Sequence, residues 1–174
     1  ETWDRAITLT ERRLAAAEQR KKALMQQLLT GRVRFPEFAG KAWQKINLQQ
    51  ALDIRYGKSP NGIRDESGAY NIYGTGGIVG KTNESLYEKP AVIIGRKGTI
   101  DQPQLAKEPF WAIDTTYYAI PQSEIDVDWI YYTLSYLNLE RYNEASGVPS
   151  LSRNTLYNIK LMVASIEEQR RITA

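Results

Sequence analysis

Apolar positions in the first thirty residues recur in alternating steps of four and three: Trp3, Ile7, Thr10, Leu14, Ala17, Lys21, Leu24 and Leu28. This is a heptad seam, with Trp3, Ile7, Leu14, Ala17, Leu24 and Leu28 as its apolar members and Thr10 and Lys21 as polar interruptions of the kind that can set register or partner orientation. No Pro or Gly occurs before Gly31, and the stretch is rich in Ala, Leu, Arg, Gln, Glu and Lys, so period and propensity both predict one long helix. At 1.5 Å per residue it spans about 40 Å, more than a compact domain of this size needs. Charges on nearly all sides of the seam (Arg5, Arg12, Arg13, Glu18, Arg20, Lys22) favour an exposed coiled coil over a helix packed along its own domain.

Gly31 predicts a stop of the C′ type, followed by an extended connector from Arg32 to Pro36. The pattern then shortens. Apart from a helix-like stretch from Ile46 to Ile54, the chain to about Ile120 offers short β-rich runs at Tyr70–Tyr73, Ala91–Ile94 and Ile113–Ile120, broken by glycines. Asp126 or Asp128 is placed to cap a helix from Trp129 through Ile130, Tyr131, Leu134 and Leu137, and Gly147 and Pro149 open a loop. A short helix over Asn154–Ile159, a strand over Lys160–Val163 and the first turns of another helix over Ile166–Ala174 complete the chain. The expected class is α+β: a long helix over residues 1–35, a globular mixed or antiparallel sheet domain with a few helices over 36–165, and the start of a second long helix over 166–174.

Composition changes this picture mainly by what it lacks. Among 174 residues there is no His and no Cys, which removes disulfides, zinc sites built on those ligands, a Cys nucleophile and every His-based triad. No apolar run approaches the ~20 residues of a membrane span, and no charged leader precedes an apolar segment, so a cytoplasmic protein with no membrane partner is expected. The net charge is only +3, but it is segregated: ten basic and six acidic residues lie between Lys41 and Lys107, whereas seven acidic residues face only Arg141 between Glu108 and Glu144. Such a domain can carry a basic face despite its small total; chance clustering on a solvated surface is the alternative.

The string Tyr73-Gly74-Thr75-Gly76-Gly77-Ile78-Val79-Gly80 invites comparison with cofactor loops. As G-x-G-x-x-G it fails at Val79, and no long helix follows to meet a pyrophosphate. As the loop of a small S-adenosylmethionine-dependent methyltransferase it lacks the alternating strands and helices of that fold and the Asn/Asp-Pro-Pro-aromatic tetrapeptide. Neither Glu-x-Lys nor Asp-x-Lys occurs to organise a Mg²⁺ nuclease, and no metal site is expected. Binding chemistry is better represented. Arg55, Lys58, Asn61 and Arg64 surround a Ser-Pro-Asn-Gly turn, Arg96 and Lys97 end a strand, and Ser150, Ser152, Arg153 and Asn154 open a late helix. Arg and Lys suit guanine O6/N7 or phosphate, Asn suits adenine, and Ser suits phosphate. Tyr73, Thr75 and Lys81 add an aromatic, a hydroxyl and a cation beside the glycine-rich run. A coiled-coil scaffold with a protein-docking head is the non-nucleic-acid alternative.

Read in order, Leu24-Met25-Gln26-Gln27-Leu28-Leu29-Thr30-Gly31-Arg32, Trp43, the Gly57–Pro60 turn, Tyr73–Gly80, Ile93-Ile94-Gly95-Arg96-Lys97-Gly98, Phe110–Tyr117, Val148-Pro149-Ser150-Leu151-Ser152 and Glu168-Gln169-Arg170-Arg171-Ile172 resemble the DNA specificity subunit of type I restriction-modification enzymes. The resemblance implies a target recognition domain between two conserved helices that pack antiparallel as a spacer, and no catalytic residues. Methylation subunits and a restriction subunit would supply the chemistry, and S-adenosylmethionine, ATP and Mg would belong to them. A full subunit has two recognition domains; this chain has the features of one, as an excised fragment or a half-length subunit, and two copies with antiparallel helices would restore a two-domain reader of double-stranded DNA. Lys58, Asn61, Arg64, Tyr73, Thr75, Lys81, Arg96, Lys97, Ser152, Arg153 and Asn154 are the candidate DNA contacts. One departure stands out: the family usually has proline before Glu-Gln, whereas here Ser165 occupies the junction and can cap the helix instead.

Overall fold

A computed structural model describes residues 2–174. The chain divides into two compact units, Glu1–Lys41 and Ala42–Ala174. In the first, α1 (Thr2–Leu28) is a single 27-residue helix, as the seam and propensities predict. It ends where Gly31 takes a φ of 68°, with the Gly31 N–H donating to the Leu28 carbonyl and that of Val33 to Gln27. A 3₁₀ turn at Pro36–Phe38 follows. The seam lies bare: Trp3 is 82% exposed, Ile7, Thr10, Leu14, Ala17, Lys21 and Leu24 are exposed as well, and Leu28 is half-buried. The Thr10 hydroxyl donates to the Ala6 carbonyl at 2.9 Å, so this polar seam position is satisfied within its own helix.

The second unit begins with β1 (Gln44–Asn47), the single turn α2 (Leu48–Ala51) and β2 (Leu52–Tyr56). The helix-like reading of Ile46–Ile54 is therefore corrected. Leu48, Ala51 and Leu52 imitate helical spacing, but only one turn forms, closed by an Asn47/Gln50 capping box, and the chain is passing from one sheet to another. The alternation of Leu52, Ile54 and Tyr56 is the strand signal that the spacing masks.

Next come β3 (Tyr70–Gly74), β4 (Gly77–Thr82), β5 (Ala91–Gly95), β6 (Gln104–Ala106), β7 (Phe110–Ala112) and β8 (Thr116–Pro121). The run from Ile113 to Ile120 is not one strand: the Thr116 N–H closes a turn onto the Ile113 carbonyl at 2.9 Å, and the preceding Phe110–Ala112 belongs to a different sheet. The helix α3 (Val127–Tyr136) is capped by Asp126, whose Oδ1 accepts from the Trp129 N–H. A 3₁₀ turn at Leu139–Tyr142, α4 (Arg153–Tyr157), β9 (Lys160–Val163) and α5 (Ile166–Thr173) complete the unit.

Three sheets result. The largest has order β2-β8-β5-β6 and is antiparallel throughout; β4-β3-β7 combines an antiparallel hairpin with a parallel pair; β1 and β9 form a two-stranded ribbon. Register puts Ala91, Ile93, Ala106 and Tyr118 on one face of the large sheet, where they are buried with Phe110 and Ala112 of β7. The two larger sheets therefore share a core, and α3 packs beside β5 and β6. β8, from the acidic stretch of sequence, lies between β2 and β5 from the basic one, and Lys107 pairs with Asp128 at 2.8 Å. The charge halves of the chain thus interleave in space.

At the far end of the unit, Ser165 caps α5 by accepting from the Glu168 N–H, as its place in the junction predicts. Gln169 is fully buried and saturated: its Oε1 accepts from the Asp126 N–H at 2.8 Å, and its Nε2 donates to the carbonyls of Glu124 (3.0 Å) and Ala164 (2.8 Å). Trp43 Nε1 donates to Glu168 at 3.0 Å. The Glu-Gln motif is thereby explained: it fixes the direction in which α5 leaves the sheet domain.

Candidate nucleic-acid interface

The site is built where buried strands release cations. All of β5 is buried through Gly95, after which Arg96 and Lys97 turn outward. The chain reverses here because a Cβ on Gly95 would fall 1.9 Å from the Thr99 carbonyl oxygen, and because Gly98 adopts a φ of +90°. Backbone bonds then tie this loop to two others. The N–H groups of Arg96 and Lys97 both donate to Thr115, Leu151 donates to the Arg96 carbonyl at 3.0 Å, and Gly98 donates to Pro149 at 2.9 Å. The loop before α4 is set by Asn143, whose Oδ1 accepts from Ala145 and Ser150.

These ties bring together residues that are distant in sequence. Arg96 places its guanidinium carbon 5.6 Å from the centre of the Tyr56 ring, and Arg153, at the first position of α4, approaches the same ring to 5.0 Å. Arg153 also lies 6.0 Å from the Tyr157 ring and donates to the Ile54 carbonyl at 3.5 Å. Tyr56 ends β2 and is 45% exposed. Behind it Tyr117 stands edge-on at 5.1 Å, its hydroxyl donating to the Leu151 carbonyl at 3.1 Å. Burial pushes the Tyr117 phenol up to about 12, against the pull of the neighbouring Arg96. Among the described residues no carboxylate pairs with Arg96, Lys97 or Arg153.

Thr75 joins this rim. The glycine-rich run is a β-hairpin, with β3 and β4 joined through Thr75-Gly76, which removes the strand-loop-helix geometry that a cofactor loop requires. Gln104 Nε2 holds the hairpin tip by donating to the Gly74 carbonyl at 2.7 Å, and the Thr75 hydroxyl lies 3.5 Å from where a Gly98 Cβ would stand. Ser152 caps α4 by accepting from the Thr155 N–H, so its hydroxyl is already engaged. The Glu144 carboxylate accepts from the Ser152 N–H, and hydroxyl bonds from Thr155 and Ser152 hold it below the usual carboxylate range. Asn154 is exposed beside them.

The other sequence candidates sit on β3, on its hairpin partner β4 and on the segment that follows β2. Lys58 is anchored by its backbone to β7, its N–H donating to Ala112 and its carbonyl accepting from Trp111 Nε1, both at 2.8 Å. Arg64 donates to the Val79 carbonyl at 2.8 Å, Asp65 donates from its backbone to Lys81, and Asn61 occupies an exposed turn. These residues mark a second segment laid along β4 and β7. Tyr73 turns its ring edge-on to Phe110 at 5.9 Å, within the shared core. Sequence reasoning missed Tyr56, on which both arginines converge; its signal was the period-two alternation ending just before Gly57.

Residues 40–174 match the family model described as the type I restriction-modification DNA specificity domain. The chain is 32% identical over 112 residues to the type I restriction enzyme EcoprrI specificity subunit of Escherichia coli, a match covering 64% of this chain and 28% of that protein. Its fold is similar to the type I restriction-modification S subunit from M. genitalium (TM-score 0.67, 17% identity, 77% of this chain and 38% of that one). It is also similar to the HsdS subunit from Thermoanaerobacter tengcongensis (TM-score 0.64, 20% identity, 95% of this chain and 45% of that one). The chain thus spans less than half the length of these relatives.

Proposed function

The chain belongs to the type I restriction-modification DNA specificity domain family, and on that premise we propose that it reads double-stranded DNA through the rim formed by Thr75, Arg96, Lys97, Arg153 and Asn154. The observation that carries the proposal is the convergence of three separate loops on one surface whose cations have no carboxylate partners among the described residues. Guanidinium and ammonium groups left uncompensated on a rigid frame suit phosphate oxygens and the acceptor edges of bases. In this reading the rim selects the sequence and the chain performs no catalysis; methylation and restriction subunits bring the reactive groups, with S-adenosylmethionine, ATP and Mg on their side.

The two helices supply distance. The exposed stripe of α1 offers its apolar seam to a partner helix, as in a second copy running antiparallel. The Gln169 and Trp43 bonds make α5 a rigid extension of its recognition domain, so spacer length translates into spacing between half-sites.

The test is the salt dependence of binding to mixed-sequence duplex DNA, with the chain in complex with its methylation partner. Each phosphate contact contributes a slope of about −0.9 in log K against log salt, so Arg96→Ala with Arg153→Ala together should weaken binding and flatten the slope. Full binding by the double variant would refute this placement of the interface.

A further inference from the structure

The convergence on Tyr56 goes further than a basic surface. Two guanidinium groups repel each other, yet both are held against one exposed ring, at 5.6 and 5.0 Å. A guanidinium stacked on an aromatic face leaves the N–H donors at its edge pointing outward, so stacking orients the fork without consuming it. The two arginines are held unequally. Arg153 lies against two rings, Tyr56 and Tyr157, reaches a backbone carbonyl at Ile54, and is fixed at the start of a capped helix. Arg96 lies over one ring, Tyr56, with Tyr117 within electrostatic reach, and its loop is tied to its neighbours through backbone hydrogen bonds.

Reading a base edge demands a fixed fork, because two parallel hydrogen bonds must meet O6 and N7 of one guanine; holding a phosphate tolerates a mobile cation. From this asymmetry we propose that Tyr56 is a positioning residue for sequence readout, aligning Arg153 with the major-groove edge of one guanine and Arg96 with a neighbouring phosphate. The proposal rests on the DNA-reading function above and names its chemistry at one position. Tyr56 itself is supported from behind by Tyr117, whose anchoring to Leu151 couples the ring to the loop that carries Arg153.

The experiment selects from a pool of random-sequence duplexes with the chain bound to its methylation partner, then measures affinity for the enriched duplex and for versions substituted at each position. Arg153→Ala and Arg153→Lys should each lower the preference for guanine at one position by roughly 5- to 150-fold, and Arg153→Lys should keep the salt slope because the charge remains. Tyr56→Leu should lower the preference at that same position, whereas Tyr56→Phe, which keeps the ring, should restore it. Arg96→Ala should weaken all duplexes alike and reduce the salt slope by about one. Thermal unfolding confirms that each variant folds.

If Tyr56→Leu enriches the same guanine as strongly as the parent, or Tyr56→Phe fails to restore it, the positioning role is overturned. An Arg153→Ala variant that loses affinity equally at every position overturns the assignment of Arg153 to a base. A parent chain that enriches no sequence overturns the DNA-reading function itself, a result separable from the other two.

Discussion

Gln169 offers the sharpest test of how the recognition domain holds its helix. Gln169→Leu keeps nearly the same volume at a fully buried position while removing all three of its hydrogen bonds. The Asp126 N–H and the carbonyls of Glu124 and Ala164 lose their side-chain partner. At about 1 kcal/mol for each net bond, with an added penalty for polar groups left unsatisfied, the change should cost about 3–4 kcal/mol. For a domain of this size that corresponds to a fall in Tm of roughly 6–16 °C. Urea denaturation followed by circular dichroism measures the first figure, and amide exchange along α5 measures whether the helix loosens before the sheets do. A loss below about 1 kcal/mol, or unchanged exchange in α5, would show that the helix is held by something other than the Glu-Gln motif.

Three further outcomes follow from the same geometry. Gly95→Ala places a Cβ 1.9 Å from the Thr99 carbonyl oxygen, so it should cost about 3 kcal/mol or more; a denaturation midpoint equal to the parent's would contradict the tight reversal drawn here. Asp126→Ala removes the cap of α3 and should cost about 1 kcal/mol, whereas Asp128→Ala, which removes a half-exposed pair with Lys107 and a first-turn carboxylate, should cost less; the reverse order in urea midpoints would refute the cap assignment. Tyr117 keeps its proton in the folded chain to about pH 12 while an unfolded tyrosine loses it near 10, so its contribution is fully present below pH 10 and is lost as pH rises through 12. The stability gap between the parent and Tyr117→Phe should therefore narrow from pH 8 to pH 11, and a widening gap would contradict the buried, protonated phenol.

Much of the fold could be read before the structure because several elements announce themselves locally. The seam and propensities define α1, Asp126 and Ser165 mark the starts of α3 and α5, and the apolar runs of β5 and β9 stand alone. The misreadings have physical causes. Leu48, Ala51 and Leu52 fall at helical spacing because one turn joins two strands of different sheets, and Ile113–Ile120 reads as one strand because the turn at its start joins two further strands of different sheets. The basic loops were legible as chemistry, since Arg96 and Arg153 stand beside turn residues. Their meeting on Tyr56 was not legible: it depends on β2 and β5 flanking β8, and on the Arg96–Gly98 loop bonding to Pro149–Leu151, neither of which leaves a local trace.

Whether this chain selects a DNA sequence is settled by enrichment from random duplex DNA, with the chain assembled with methylation subunits of a type I system. One short motif per copy should be enriched, as an inverted repeat with fixed spacing when two copies pair through α1, and it should be degraded at a guanine in the Arg153→Ala variant. Recovery of unenriched sequence by the parent complex would contradict sequence selection, and recovery of the same motif by the Arg153→Ala, Arg96→Ala double variant would contradict its assignment to the rim.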